Sequence, residues 1–180
     1  MKKALFFIIL MNFIYAENMI SIKFMGLSIH PRGANSSDIM PLKFDKKGIL
    51  VPNIGIIISY DHEIEEGVSL RFSQGIYYDC ALQPAGFSQI NLRGDIYKKD
   101  DIRINGGAGP TLIYRKSWEG LEGYNPTDFY KSRGKMEYVY LWYGGDFEFG
   151  KVIDENREFR LSFVPGYPAL MHLSAGLTAY

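Results

Sequence analysis

The chain has 180 residues with 20 Lys+Arg against 20 Asp+Glu, so its formal charge is zero and gives no electrostatic reason to bind nucleic acid. A single cysteine, Cys80, excludes an intramolecular disulfide, and His30, His62 and His172 are too scattered for a zinc pattern. No phosphate-binding glycine loop is present, because "GGAGP" at 106–110 lacks both the spacing and the following helix, so no cofactor is implied.

Residues 1–16, "MKKALFFIILMNFIYA", read as an export signal: two lysines, an apolar run too short to span a membrane, and Ala16 before Glu17. Cleavage there leaves 17–180 as one domain with a slight negative charge. Nothing downstream has sustained helical periodicity; period-two alternation recurs instead. It predicts strands near 18–29, 48–60, 67–78, 87–97, 102–115, 136–149, 158–165 and 169–180. In the third, Val68, Leu70, Phe72, Ile76 and Tyr78 share a face opposite Ser69, Arg71, Ser73, Gly75 and Tyr77. In the fourth, Ile90, Leu92 and Ile96 oppose Gln89, Asn91, Arg93 and Asp95. In the sixth, Val139, Leu141, Tyr143, Phe147 and Phe149 oppose Tyr138, Tyr140, Trp142, Asp146 and Glu148.

The connections alternate in kind. "DHEIEEG", "KKDD" and "VIDENR" are short and charged, whereas the first and fifth connections, roughly 30–47 and 116–135, are long. That pattern predicts an all-β, eight-stranded, antiparallel up-and-down transmembrane barrel, with its short turns periplasmic. A soluble barrel would alternate too, but its water-facing positions would carry lysines. Here the lysines lie in turns and loops, with Lys23 the strand exception, and tyrosines such as Tyr60, Tyr78, Tyr97, Tyr114 and Tyr143 sit near strand ends. The expected location is the bacterial outer membrane, as a monomer. In the last strand the apolar set Met171, Leu173, Ala175 and Leu177 is out of phase with the terminal Tyr180.

With short turns downward, the inward charges Arg71, Arg93, Asp95, Arg103, Asp146, Glu148 and Arg160 fall in the lower half. A confined site demands that they pair, so they predict a closed floor and no diffusion pore. Inward positions of the upper half are apolar or small: Ile49, Val51, Gly75, Tyr77, Phe87, Gly107, Gly109, Thr111, Tyr140, Trp142, Val164 and Leu170. They describe either a packed core or a slot for a hydrocarbon chain, with Gly75, Tyr77, Gly107, Gly109 and Trp142 on its walls. Pro52, Pro110, Pro165 and Pro168 interrupt the upper strands, leaving ladder gaps for lateral access or simple fraying.

"LSIHPRG" places His30 at the outer end of the first strand, "YYDCALQPAGF" places Asp79 and Cys80 after the third, and "FVPGY" precedes the last. These patches resemble the lipid A palmitoyltransferase family. The resemblance implies an eight-stranded outer-membrane barrel that holds an acyl chain in its upper lumen and moves it from phospholipid to lipid A. It also implies that His30, Asp79 and Cys80 are catalytic, with phospholipid and lipopolysaccharide as partners. Cys80 stands where the family has serine, and the family's amphipathic N-terminal helix is missing. In such chemistry His30 would be the base, oriented by Asp79, with Cys80 or a backbone N–H at the oxyanion; alternatively Cys80 is the nucleophile. Structural roles are the other reading: a rim histidine, a turn-forming aspartate and a small buried thiol.

Two further functions remain open on sequence. "MHLSAGL" sets His172 and Ser174 on one strand face and resembles the His-x-Ser of lipid A deacylases, without their following asparagine. A non-enzymatic structural or adhesive barrel would instead bind through the loops 30–47 and 116–135.

Overall fold

The computed structural model describes residues 18–126, 128–166 and 170–180. The predicted export signal and Pro168 lie outside the described residues. Strands β1 (Asn18–Ile29), β2 (Leu50–Glu65), β3 (Val68–Tyr78), β4 (Pro84–Lys99), β5 (Ile102–Lys116), β7 (Met136–Asp154), β8 (Arg157–Gly166) and β9 (Leu170–Ala179) are long. A short β6 (Lys131–Arg133) folds back on the start of β7. Apart from β5 and β6, each strand pairs antiparallel with its sequence neighbour; β5 pairs with β7, and β9 returns to β1, which closes an eight-stranded barrel.

Alternation decides what faces out. Ile20, Ile22 and Phe24 of β1 are exposed while Ser21, Lys23 and Met25 are buried; Ile54, Ile56 and Ile58 of β2 are exposed while Asn53, Ile57 and Ser59 are not. Phe72, Ile76, Ile90, Leu92, Phe147, Phe149, Leu161, Leu173 and Leu177 continue the same outer surface. A belt of this size in water would drive aggregation; facing hydrocarbon, it is the solvent-matched side of a barrel that satisfies all its backbone groups internally.

Three strands run further than their sequence suggests. β2 continues to Glu65, β4 to Lys99 and β7 to Asp154, which shortens the connections below to tight turns. Gly67 and Asp100 take positive φ in two of them, at 74° and 53°. Charged side chains there continue the ladder outside the membrane, so their polarity does not mark a strand end. The long connections and the 79–83 turn lie at the opposite end from the tight turns, with the described termini, Asn18 and Tyr180, at the turn end.

One β-bulge changes the reading of β7. The partner of Gly109 is Gly144, yet the partner of Thr111 is Leu141, so β7 holds an extra residue there. An extra residue exchanges the two faces of everything beyond it. Below the bulge Asp146 and Glu148 point inward as predicted; above it Glu137, Val139 and Leu141 are the buried set. Tyr140 and Trp142, expected inside, lie on the outer surface, Trp142 with 75% of its area exposed. Trp142 therefore lines no lumen pocket. Ile49, also expected inside, is exposed as well.

Candidate functional site: a cap over a filled lumen

The lower lumen holds four cations, Lys23, Arg71, Arg93 and Arg160, and four carboxylates, Asp61, Asp146, Glu148 and Glu158, every one of them buried. Arg71 forks onto Asp61, with Nε to Oδ1 at 2.7 Å and Nη2 to Oδ2 at 2.6 Å, and reaches Glu148 at 2.7 Å and Asp146 at 3.1 Å. Arg93 contacts Glu148 at 2.6 Å, Asp146 at 2.8 Å and Asp61 at 3.2 Å. Arg160 joins Glu148 at 3.1 Å to Glu158 at 3.2 Å, and Lys23 donates to Glu148. Asn91 donates to Asp146 and Ser162 to Glu148. Charge balance and this density of hydrogen bonds are what let eight ions stay charged in a confined space.

Arg103 and Asp95, predicted as members, sit lower, around an open polar cup of about 390 Å³ that faces the tight turns. Lys23, Asp61 and Glu158 take their places in the network. Tyr180 explains its unusual phase here, because its hydroxyl reaches into the cup, donating to Glu158 and accepting from Arg103.

Above the floor the lumen is occupied by Met25, Ile57, Tyr77, Ala85, Phe87, Ile113, Val139 and Leu141, with Phe129 and Tyr130 of the long loop packed on them. The glycines leave no slot. A Cβ on Gly75 would lie 2.2 Å from the Phe87 ring, and one on Gly109 would lie 1.9 Å from the Ile90 carbonyl oxygen. Gly107 belongs to the floor, where a Cβ would meet Arg93 Cγ at 2.4 Å and Asp146 Oδ1 at 2.7 Å. The void left between Tyr77, Phe87, Gln89, Thr111 and His172 is about 10 Å³, room for a single water. Gly107→Ala should therefore strain the Arg93–Asp146 pair and destabilise the barrel by about 1–3 kcal/mol, as overpacking does. Urea unfolding in detergent checks this; an unchanged midpoint would mean that the floor yields freely.

The prolines do mark weak points in the wall. The β7–β8 ladder runs only from Asp154–Arg157 to Phe147–Phe163, so Pro165 lies beyond its end, and β4–β5 pairing lapses between Gln89–Thr111 and Leu92–Ala108, beside Pro110. Behind Pro165 lies only the small void, which it lines together with Val164 and His172. His172 and Ser174 point into the lumen, buried and with no hydrogen-bond partner among the described residues, the imidazole 5.0 Å from the Phe87 ring centre.

At the outer end the loops fold over the mouth as a cap. Met40, Val51, Cys80, Ala81 and Trp118 form a second apolar cluster, joined by Ile39, Leu121 and Tyr124. Trp118 is 2% exposed and organises the cap. Its indole N–H donates to Asp79 Oδ2 at 2.8 Å, its ring lies nearly parallel to that of His30, and the Arg115 guanidinium stacks on it at 3.6 Å. Arg115 also stacks on Tyr130 at 3.9 Å, is hydrogen-bonded to Tyr124 and forms a buried ion pair with Glu137 at 2.6 Å. Ser117 Oγ–H and the Trp118 N–H donate to the other Glu137 oxygen.

The three residues singled out by sequence meet here. Cys80 Sγ lies 3.6 Å from His30 Nε2. Asp79 turns away from the imidazole: its Oδ1 accepts the N–H groups of Ala81 and Gln83, tying the 79–83 turn, while Oδ2 holds Trp118. Burial, helped by Arg115, pushes His30 down to about 4, so it is neutral near pH 7. Burial and the Asp79 carboxylate push the Cys80 thiol up, away from thiolate. Burial also raises Asp79, against the hydrogen bonds that favour its charged form. Arg115, Glu137 and Tyr130 were missed in the sequence. Arg115 was in the inward phase of its strand, whereas the β7 bulge hid Glu137.

These shifts carry a pH dependence. His30 has a folded value near 4 against an ordinary 6.5, so the unfolded cap binds more protons between them, and cap stability falls as pH drops through that window. Asp79, raised by burial, acts in the opposite sense at its acid end. In a Trp142→Phe protein, Trp118 is the one remaining tryptophan of the sequence, and its emission should shift toward that of an exposed indole as the pH falls from 6.5 to 4. His30→Gln should abolish that shift. An identical shift in both proteins would assign it elsewhere.

No protein-family model matches the chain, and no curated protein matches it by sequence. Among solved structures, Neisserial surface protein A (NspA) is similar in fold, with a TM-score of 0.52 and 12% identity over 91% of this chain and 97% of that one. Ail, the attachment invasion locus protein of Yersinia pestis, solved with the heparin analogue sucrose octasulfate, matches at a TM-score of 0.46 and 14% identity, over 91% of this chain and 98% of that one.

Proposed function

We propose that this chain is a non-enzymatic outer-membrane barrel that presents its cap to the exterior and binds there through the loops 30–47 and 116–135. The observation that carries this reading is the filled lumen. A charged floor, an apolar plug and a cross-linked cap follow one another along the axis, and the space an acyl donor needs is taken by Phe87, Ile113, Val139 and Leu141. What the chain elaborates instead is its outer surface, where long loops stand on a rigid wall. The fold shared with NspA supports placement in an outer membrane.

A second reading, acyl transfer at the cap, is favoured by the 3.6 Å approach of His30 to Cys80. Among the described residues Asp79 makes no contact with the imidazole, burial disfavours the Cys80 thiolate, and the space beneath is occupied by the apolar plug. Mass spectrometry of lipid A from cells with and without the gene separates the two readings. Identical acylation is expected for the non-enzymatic barrel; an acyl chain gained or lost with the gene, and reversed by His30→Ala, would establish the enzyme.

A further inference from the structure

The β6–β7 hairpin continues the membrane-facing wall upward and changes its chemistry. Lys131 pairs with Tyr138 and Arg133 with Met136, while on the other side of β7 Lys116 pairs with Met136, Tyr114 with Tyr138 and Leu112 with Tyr140. Directly paired residues of antiparallel strands share a face. Leu112, Met136 and Tyr140 are on the exposed outer face, so Lys116, Lys131 and Arg133 stand on that face too, with Lys135 in the adjoining turn. All four cations are exposed.

Among the described residues, none of the four is in an ion pair. Of the carboxylates close to them, Glu137 is buried against Arg115, and Glu119 accepts from Ser132. At the turn end, by contrast, Lys151 pairs with Asp101 and Arg157 with Asp154. Below the cations lie Tyr140, Trp142 and Tyr143, with the Tyr140 and Trp142 rings packed edge to face at 5.0 Å. Such aromatics mark the membrane–water boundary. Met136 lies four positions from Tyr140, and at about 3.3 Å per residue, less strand tilt, the cations stand on the order of 10 Å above that boundary. That is the headgroup layer.

We propose that Lys116, Lys131, Arg133 and Lys135 form a binding site for the phosphate-bearing headgroup of a lipid in the loop-side leaflet, its chains lying along Leu112, Tyr140 and Trp142. Unpaired cations directly above an aromatic boundary complement a lipid phosphate in charge and in depth. The site rests only on the barrel spanning a membrane with its loops at that leaflet, and it stands whether or not the cap is catalytic.

The test is native mass spectrometry of the full barrel in detergent, titrated with diphosphoryl lipid A, with the same glycolipid after dephosphorylation, and with inorganic phosphate as competitor. Wild type is expected to prefer the phosphorylated lipid about tenfold or more, and raised salt should erode the preference. Replacing all four cations by glutamine (Lys116→Gln, Lys131→Gln, Arg133→Gln, Lys135→Gln) should abolish it. The turn-end changes Lys98→Gln, Lys99→Gln and Lys151→Gln, outside both loops, should leave it in place, with heat-modifiable migration confirming both folds. Equal binding of the two lipids, a quadruple variant with undiminished preference, or loss of preference in the turn-end variant would overturn the assignment. Displacement by millimolar inorganic phosphate would overturn the lipid and leave a site for soluble anions.

Discussion

Glu148→Ala should be among the most damaging single changes to this barrel, costing about 3–5 kcal/mol, because it strands buried cations instead of merely deleting a contact. Glu148 accepts from Lys23, Arg93, Arg160 and Ser162 and forms an ion pair with Arg71. Without it, four buried cations face three carboxylates. Removing Lys23 as well, by Lys23→Met, restores the balance, since Glu148 is its sole ion-pair partner among the described residues. The double variant should recover part of the loss. Urea unfolding of the refolded proteins measures both; a near-neutral Glu148→Ala would mean that water reaches the floor and screens it.

The second large effect should be local. Arg115→Ala removes the cation that stacks on Trp118 and Tyr130 and leaves Glu137 buried without its charge partner. A broken buried pair costs about 3–5 kcal/mol, and the lost cation–π contacts add to that. Because Arg115 holds the cap and takes no part in the floor, the cost should appear as opening of residues 117–130, while the barrel wall survives. Trypsin on intact cells should then cut at Lys116 or Lys131 at least about tenfold faster than in wild type, as expected when the open population limits cleavage. Cleavage at wild-type rate would show that Trp118 and Asp79 hold the cap without Arg115. Cleavage of intact wild-type cells in the 61–67 turn would reverse the orientation of the barrel.

Much of the wall was legible because a barrel writes its two solvents into alternate residues. Val68–Tyr78 of β3 and the Ile90, Leu92 face of β4 needed nothing beyond period two. Phase was lost at the β7 bulge, since an inserted residue leaves no mark in composition; Tyr140 and Trp142 were therefore assigned to the lumen, and Glu137 was passed over. Asp61 was hidden for a related reason. "DHEIEEG" has the polarity of a turn, yet its first residues continue β2 and bring Asp61 onto Arg71. The floor's closure depends on pairs such as Lys23 with Glu148, which no local pattern connects. His30, Asp79 and Cys80 were found through their loop-end positions. Sequence could not show that Asp79 would choose the Trp118 indole over the imidazole, because that depends on where the long loop lies.

The central claim is that the exposed apolar wall meets hydrocarbon, and Trp142 reads it most directly. It is 75% exposed on the outer face, whereas Trp118 is 2% exposed within the cap. The barrel, reconstituted into phosphatidylcholine vesicles carrying dibrominated acyl chains, should lose much of its tryptophan emission. The Trp142→Phe protein, left with Trp118, should lose little. The difference between the two isolates Trp142, and it should be quenched by bromolipid and not by aqueous iodide. Quenching of Trp142 by iodide, with none from brominated chains, would place that wall in water and contradict the membrane barrel.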